Sequence, residues 1–299
     1  MRALRAPGTM GGMADANVET VPSAVDLRDI CEELVVDAAE FVAHQRAFLT
    51  RHGSVGMVAE TKTSDVDPVT AVDKGCEARI VKRLSQLRPE DGIVGEEGAS
   101  KSTRTGVEWV IDPIDGTVNF IYGVPAYAVS VGVAVHGELV AGAVADIARG
   151  AVYRAALGEG AEMLIDDRVH PLRASKADTL ATALLATGFS YSAQWRGDQA
   201  QILTSVLPRV RDIRRIGSAA LDLCRVAEGS VDAYYEHGTH PWDYAAGAVI
   251  ATEAGAVVSH PGLVDRGGNG ALVTACAPGL ADQFSALLGE AGADRELGE

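Results

Sequence analysis

Residues 109–120 read W-V-I-D-P-I-D-G-T-V-N-F, and this stretch narrows the possible folds more than any other. Trp109, Val110 and Ile111 suit a short buried strand, which the Asp112-Pro113 pair is expected to break. Asp115 adds a second carboxylate, and Gly116-Thr117 turn the chain toward a helix start. Hard divalent cations take carboxylate oxygens, and free N–H groups at a helix N-terminus attract anions. Such a strand end suits a cation beside a phosphate, provided other segments bring further ligands.

The chain of 299 residues has room for one large domain or two tightly packed halves. A formal net charge of −15 argues against a nucleic-acid backbone as main partner, because that role needs clustered lysine and arginine. Cys31, Cys76, Cys224 and Cys276 lack C-x-x-C spacing, which excludes a zinc ribbon and fits a reducing compartment. Arg2 and Arg5 are followed by no apolar signal region, and the longest apolar run, 124–135, is too short for a bilayer. A cytoplasmic protein with no membrane span is expected.

Residues 1–22 carry no periodicity and read as a disordered or mis-started leader. From Leu27 to Val42 one apolar face recurs at helical spacing, with Gly53 as the expected cap. A polar loop over 62–73 follows, placing Asp73 in the first turn of a second helix that Pro89 and Gly92 stop. A short strand over 93–98 ending in the two acids Glu96-Glu97 is expected, then strands at 127–135, 139–147, 151–156 and 162–165, with a hairpin at His136-Gly137. The half over 23–170 is therefore α+β, two helices on a mainly antiparallel sheet. Beyond a soft boundary near Pro171, the half over 171–299 alternates as α/β. Its strands are expected at 181–186, 213–216, 231–235, 256–259 and 271–275, and its helices at 199–207, 219–228, 244–254 and 279–288.

Taken singly, the acidic residues have plain explanations. Glu96-Glu97 before Gly98 reads as a solvated turn, Asp112-Pro113 as a strand end, and Asp243 as a charge favoured at a helix N-terminus. Together they say more. Glu96, Asp112, Asp115, Asp243 and Asp73 all fall at strand ends or helix starts, which converge on one crevice in a layered fold. Five oxygen donors with no histidine or cysteine pattern suit magnesium or manganese, not zinc.

Four ordered stretches carry a family resemblance. W-V-I-D-P-I-D-G-T-V-N-F and His240-Pro-Trp-Asp243-Tyr-Ala-Ala-Gly247 resemble the two signatures of the inositol monophosphatase family, within the lithium-sensitive, magnesium-dependent phosphatases. Gly95-Glu96-Glu97-Gly98 and the loop from Lys62 to Asp73 resemble its other two motifs, and the similarity runs from about Asp26 to Leu288. The resemblance implies an αβαβα sandwich, a homodimer, and hydrolysis of myo-inositol 1-phosphate with two or three Mg2+, Mn2+ being the alternative. It assigns Glu96, Asp112 and the Ile114 carbonyl to one ion, and Asp112, Asp115 and Asp243 to a second. Glu96 would reach a third through water.

By the same resemblance, Thr117 and Asp73 orient the attacking water, while Gly116 and Thr117 N–H groups hold phosphate. Glu236 would accept hydroxyls of a cyclic polyol, facing Gly217, Ser218 and Ala219, with Arg214 supporting the wall. On its own residues, Glu236 also reads as an ordinary strand-end glutamate, but its place seven residues before Asp243 agrees with the family and favours the functional role. A glutamate there could instead meet the ammonium of an amino-alcohol phosphate. Tyr122, His237 and the Ala256-Val-Val-Ser259 run depart from the family's usual residues, which bears on substrate choice and touches no metal ligand. Histidinol phosphate, fructose 1,6-bisphosphate and 3′-phosphoadenosine nucleotides are the rival substrates. A partner-binding role in RNA processing or transcription is the rival of another class.

Overall fold

The computed structural model describes residues 21–51, 68–263 and 270–297. The expected leader through residue 20, the Gly53 cap and the loop over 62–67 lie outside these residues.

Seven helices are described: α1 (Ala24–Arg51), α2 (Pro68–Leu87), α3 (Thr117–Tyr122), α4 (Ala193–Val206), α5 (Ala219–Glu228), α6 (Pro241–Glu253) and α7 (Ala281–Glu290). The first sheet comprises β1 (Gly92–Gly95), β2 (Ser100–Lys101), β3 (Val107–Asp115), β4 (Ala128–Val135), β5 (Glu138–Asp146), β6 (Ala151–Ala156), β7 (Gly160–Ile165) and β8 (Arg168–Pro171). Its order is β2-β1-β3-β4-β5-β6-β7-β8, antiparallel except where β1 runs parallel to β3. The second sheet comprises β9 (Leu184–Thr187), β10 (Asp212–Arg214), β11 (Ala233–His237), β12 (Val257–Ser259) and β13 (Leu272–Cys276), in the order β10-β9-β11-β13-β12.

Strand alternation divides the core into three apolar layers. On β3 and β4, Trp109, Ile111, Val129, Val131 and Val133 face Leu27, Leu34, Ile80 and Leu84 of α1 and α2. On the other side of that sheet, Ala128 and Val144 meet α5 and α6, and so does Tyr234 from the second sheet. The neighbours Ala233 and Tyr235 point away to Ile202 of α4 and Phe284 of α7. The result is an αβαβα stack of mixed sheets and helices, as the alternation and the resemblance led us to expect. Helices from beyond Pro171 pack against the first sheet, so both halves share the central layer.

The seat of α6 is set by two glycines paired across β4 and β5, Gly132 and Gly142. A Cβ on Gly132 would stand 2.8 Å from Ala245 Cβ, and one on Gly142 would stand 2.7 Å from Ala246 Cα. Real carbon contacts are about 3.5–4.0 Å, so the helix lies where only bare backbone admits it. Behind β3, the buried Trp109 gives its indole N–H to Asp91 at 2.9 Å, and Arg88 and Thr105 also hold that carboxylate.

Four expectations need correction. The first strand does not reach the two acids: β1 ends at Gly95, and Glu96-Glu97 lie in a turn closed by the Gly95 N–H on the Ala99 carbonyl. The strand does not break at Asp112-Pro113: β3 continues to Asp115, with a register shift between Asp112 and Asp115 where proline supplies no N–H. Because α2 starts at Pro68, Asp73 lies in its second turn. The strand β8 was not foreseen; it pairs with β7 through a tight turn at Asp166-Asp167, both with positive φ. Among the described residues, no helix is long and apolar enough to cross a membrane.

Candidate active site

A cavity of about 500 Å³ opens where the carboxyl ends of β1 and β3 meet β11 and the N-termini of α5 and α6. Glu96, Asp112, Asp115, Glu236 and Asp243 all line it, so segments up to 147 residues apart in sequence converge there. Ligand oxygens of Asp112, Asp115 and Asp243 lie within 4.8 Å of one another.

Each of these three aspartates has an oxygen held by a protein donor, which orients the rest of its carboxylate. Asp112 Oδ1 accepts the Ile114 N–H at 3.0 Å, across the shifted register of β3. Asp115 Oδ2 accepts the Ser218 hydroxyl at 2.6 Å and the Ala220 N–H at 2.7 Å, which fastens it to the first turn of α5. Asp243 Oδ2 accepts the His240 N–H at 2.6 Å, closing the entry to α6, and His240 stacks on Trp242. The glycine pair under α6 thus determines how near Asp243 comes to Asp112.

The electrostatics are those of crowded anions. Burial first, then Glu96, Asp115 and Asp243, pushes the Asp112 carboxyl well above the usual carboxylate range. Asp243 is raised likewise by burial and by Asp115. Asp115 is pushed up to about 6 by burial, against the opposing bonds from Ser218 and Ala220. Glu96 rises to about 7, again mainly from desolvation, with a hydrogen bond to Asp112 opposing it. Like charges packed this closely favour a proton, or a cation in its place. All donors are hard oxygens, so the set fits magnesium or manganese.

The second wall agrees in part with expectation. Gly217, Ser218 and Ala219 line the cavity, and the Asn119 amide braces them by donating to the Ile216 and Ala126 carbonyls. Glu236 accepts the Tyr234 hydroxyl at 3.0 Å, and burial pushes its carboxyl up to about 7. Gly188 leaves the volume that this carboxyl fills, since a Cβ there would come within 2.0 Å of it. Arg214 is not part of the wall; it pairs with Asp212 at 2.6 Å on the exposed edge strand β10. The next residue, Arg215, lines the cavity instead, and among the described lining residues it is the only lysine or arginine.

Thr117 lines the cavity, with its hydroxyl donating to the Ile114 carbonyl at 3.0 Å. Asp73 is buried on α2 and is not among the lining residues. The His237 ring meets the Ala293 carbonyl at 2.8 Å, and Tyr122 is exposed outside the cavity. Sequence reasoning missed Phe189, Ser190, Tyr191 and Trp195, which also line the cavity. The available signal was their place just beyond the carboxyl end of a strand in an α/β layer, where ligands bind.

Comparison with known proteins decides the lineage. The Inositol monophosphatase family profile matches residues 28–284. The chain belongs to this family. Inositol-1-monophosphatase SuhB of Mycobacterium tuberculosis is 52% identical over 272 residues, covering 88% of this chain and 93% of the relative. A solved structure described as Mycobacterium tuberculosis SuhB superposes with a TM-score of 0.78 at 49% identity, covering 90% of this chain and 98% of that one. The protein named Nus factor SuhB in Escherichia coli is 42% identical over 195 residues, covering 64% of this chain and 72% of its own. Family membership makes the chain a phosphatase.

Proposed function

We propose that the protein hydrolyses myo-inositol 1-phosphate to inositol and phosphate in a magnesium-dependent reaction. The observation that carries this reading is the convergence of the Asp112, Asp115 and Asp243 oxygens within 4.8 Å, beside Glu96 and Glu236, on one cavity. Glu96, Asp112 and the Ile114 carbonyl would hold one ion, and Asp112, Asp115 and Asp243 another. Bound there, Mg2+ would supply Lewis acidity to the phosphate and lower the pKa of water.

The remaining work falls to the chain's own groups. Thr117, its hydroxyl now on the Ile114 carbonyl, would turn with Asp73 to orient the attacking water and take its proton. Backbone N–H groups of Gly116 and Thr117 would hold phosphate oxygens. Glu236 would accept polyol hydroxyls opposite Ser218 and Ala219, with Arg215 replacing Arg214 as the wall's cation. The same reading expects a cytoplasmic homodimer inhibited by lithium.

Phosphate release from inositol 1-phosphate, histidinol phosphate, fructose 1,6-bisphosphate and 3′-phosphoadenosine nucleotides, with and without Mg2+, tests the substrate. A large kcat/KM preference for histidinol phosphate would sink the inositol assignment. The Nus factor name of the Escherichia coli relative favours a second reading, a role in a transcription complex. An Asp112→Asn chain that still supports the cellular role would favour that reading.

A further inference from the structure

The turn that carries Glu96 is clamped by a carboxylate from another element. Glu77 of α2 is buried, and its two oxygens divide the work. Oε2 accepts the Glu97 N–H and Oε1 accepts the Ala99 N–H, both at 2.9 Å. The turn is closed on itself by the Gly95 N–H donating to the Ala99 carbonyl at 2.8 Å. Gly95 provides the opening through which Glu77 reaches it, because a Cβ there would stand 2.2 Å from Oε2. One residue earlier on α2, the buried Cys76 thiol donates to the Pro113 carbonyl at 3.4 Å, between Asp112 and Ile114. Adjacent side chains of one helix thus touch the Glu96 turn and the end of β3, the two segments that carry candidate ligands of the first ion.

We propose that Glu77 is a positioning residue that sets the Glu96 turn for cation binding. The inference rests on the proposed metal-dependent reading of the site. A ligand's orientation is fixed by the groups behind it, and loss of such partners typically costs about 10–100-fold in metal affinity or activity. Glu77 touches neither cavity nor substrate; it acts by holding the Glu97 and Ala99 amides, and with them Glu96 between strand and turn. A glutamine there keeps one acceptor and turns an NH2 group toward the other N–H.

The test is Mn2+ binding without substrate, by calorimetry, on the full chain and Glu77→Gln, followed by Mg2+ titration of turnover. The expected result is at least tenfold weaker Mn2+ binding and a matching rise in half-saturating Mg2+, while kcat at saturating Mg2+ and KM for substrate stay near wild type. Gly95→Ala perturbs the clamp from the other side with the carboxylate intact, and the same weakening is expected. It also serves where Glu77→Gln fails to fold. Asp37→Asn removes a surface pair between α1 and α2 and should leave Mn2+ binding unchanged. Wild-type Mn2+ affinity in either folded clamp variant overturns the inference and leaves the phosphatase reading intact. Weakened binding in a chain whose wild type shows no metal-stimulated turnover supports the inference and removes that reading.

Discussion

Substituting Gly142 by alanine tests the link between packing and chemistry. The new Cβ would lie 2.7 Å from Ala246 Cα, 3.0 Å from Ala246 Cβ and 3.2 Å from the Ala246 carbonyl oxygen. Restoring ordinary carbon contact requires α6 to retreat by about 0.8–1.3 Å. Overpacking of this kind costs about 1–3 kcal/mol, a few degrees of Tm. Asp243 lies in the first turn of the same helix, and Mg–O bonds are only about 2.0–2.1 Å long. A displacement near 1 Å can cost ~100-fold in rate. We therefore expect a folded Gly142→Ala protein with ~100-fold lower kcat/KM and a raised Mg2+ requirement. The assay is phosphate release across a Mg2+ series, with thermal unfolding alongside. Gly197→Ala, on the exposed face of α4 with open space around it, is the control that should keep full activity. A Gly142→Ala enzyme with wild-type turnover and Mg2+ half-saturation would refute the reasoning.

The acid cluster makes the metal-free protein's stability depend on pH with a definite sign. Glu96, Asp112, Asp115 and Asp243 have folded pKa values above their unfolded ones, so the native state holds more protons between about pH 4 and 7. Stability in EDTA should therefore fall as pH rises through that window, and the Tm gain on adding Mg2+ should grow over the same range; a metal-free Tm that rises from pH 5 to pH 8 would contradict it. Glu236→Gln removes a carboxyl that burial pushes up to about 7. It should raise the metal-free Tm at pH 8 and change it little at pH 5, because only the ionised form is disfavoured. If Glu236 receives substrate hydroxyls, the same variant should raise KM for inositol 1-phosphate by about 10–100-fold, the usual worth of a charged hydrogen bond, with kcat little changed.

Local signals served well where one residue type has one structural meaning. The helical spacing from Leu27 to Val42 and the His136-Gly137 turn are of this kind, and so is the set Glu96, Asp112, Asp115 and Asp243 that the cavity brings together. What escaped depends on contacts between distant elements. Gly132 and Gly142 look like weak strand residues until α6 is seen lying on them. Glu77 reads as a helix-surface charge until the Glu96 turn closes over it. Arg214 and Arg215 show how one residue decides a face: neighbours along an extended chain point opposite ways, so the arginine beside the expected one enters the cavity. The bulge after Asp112 was hidden for a related reason, since proline commonly ends a strand and here only shifts its register.

The central claim is that the clustered aspartates work by holding a divalent cation for phosphate ester hydrolysis. It is tested most directly by inositol 1-phosphate turnover over a Mg2+ titration, comparing wild type with Asp112→Asn and checking both for native far-UV circular dichroism. The account predicts saturable Mg2+-dependent turnover in the wild type, abolished by EDTA, and no measurable turnover in a folded Asp112→Asn protein at any Mg2+ concentration. Turnover that persists in EDTA, or an Asp112→Asn enzyme that matches wild type, would contradict it.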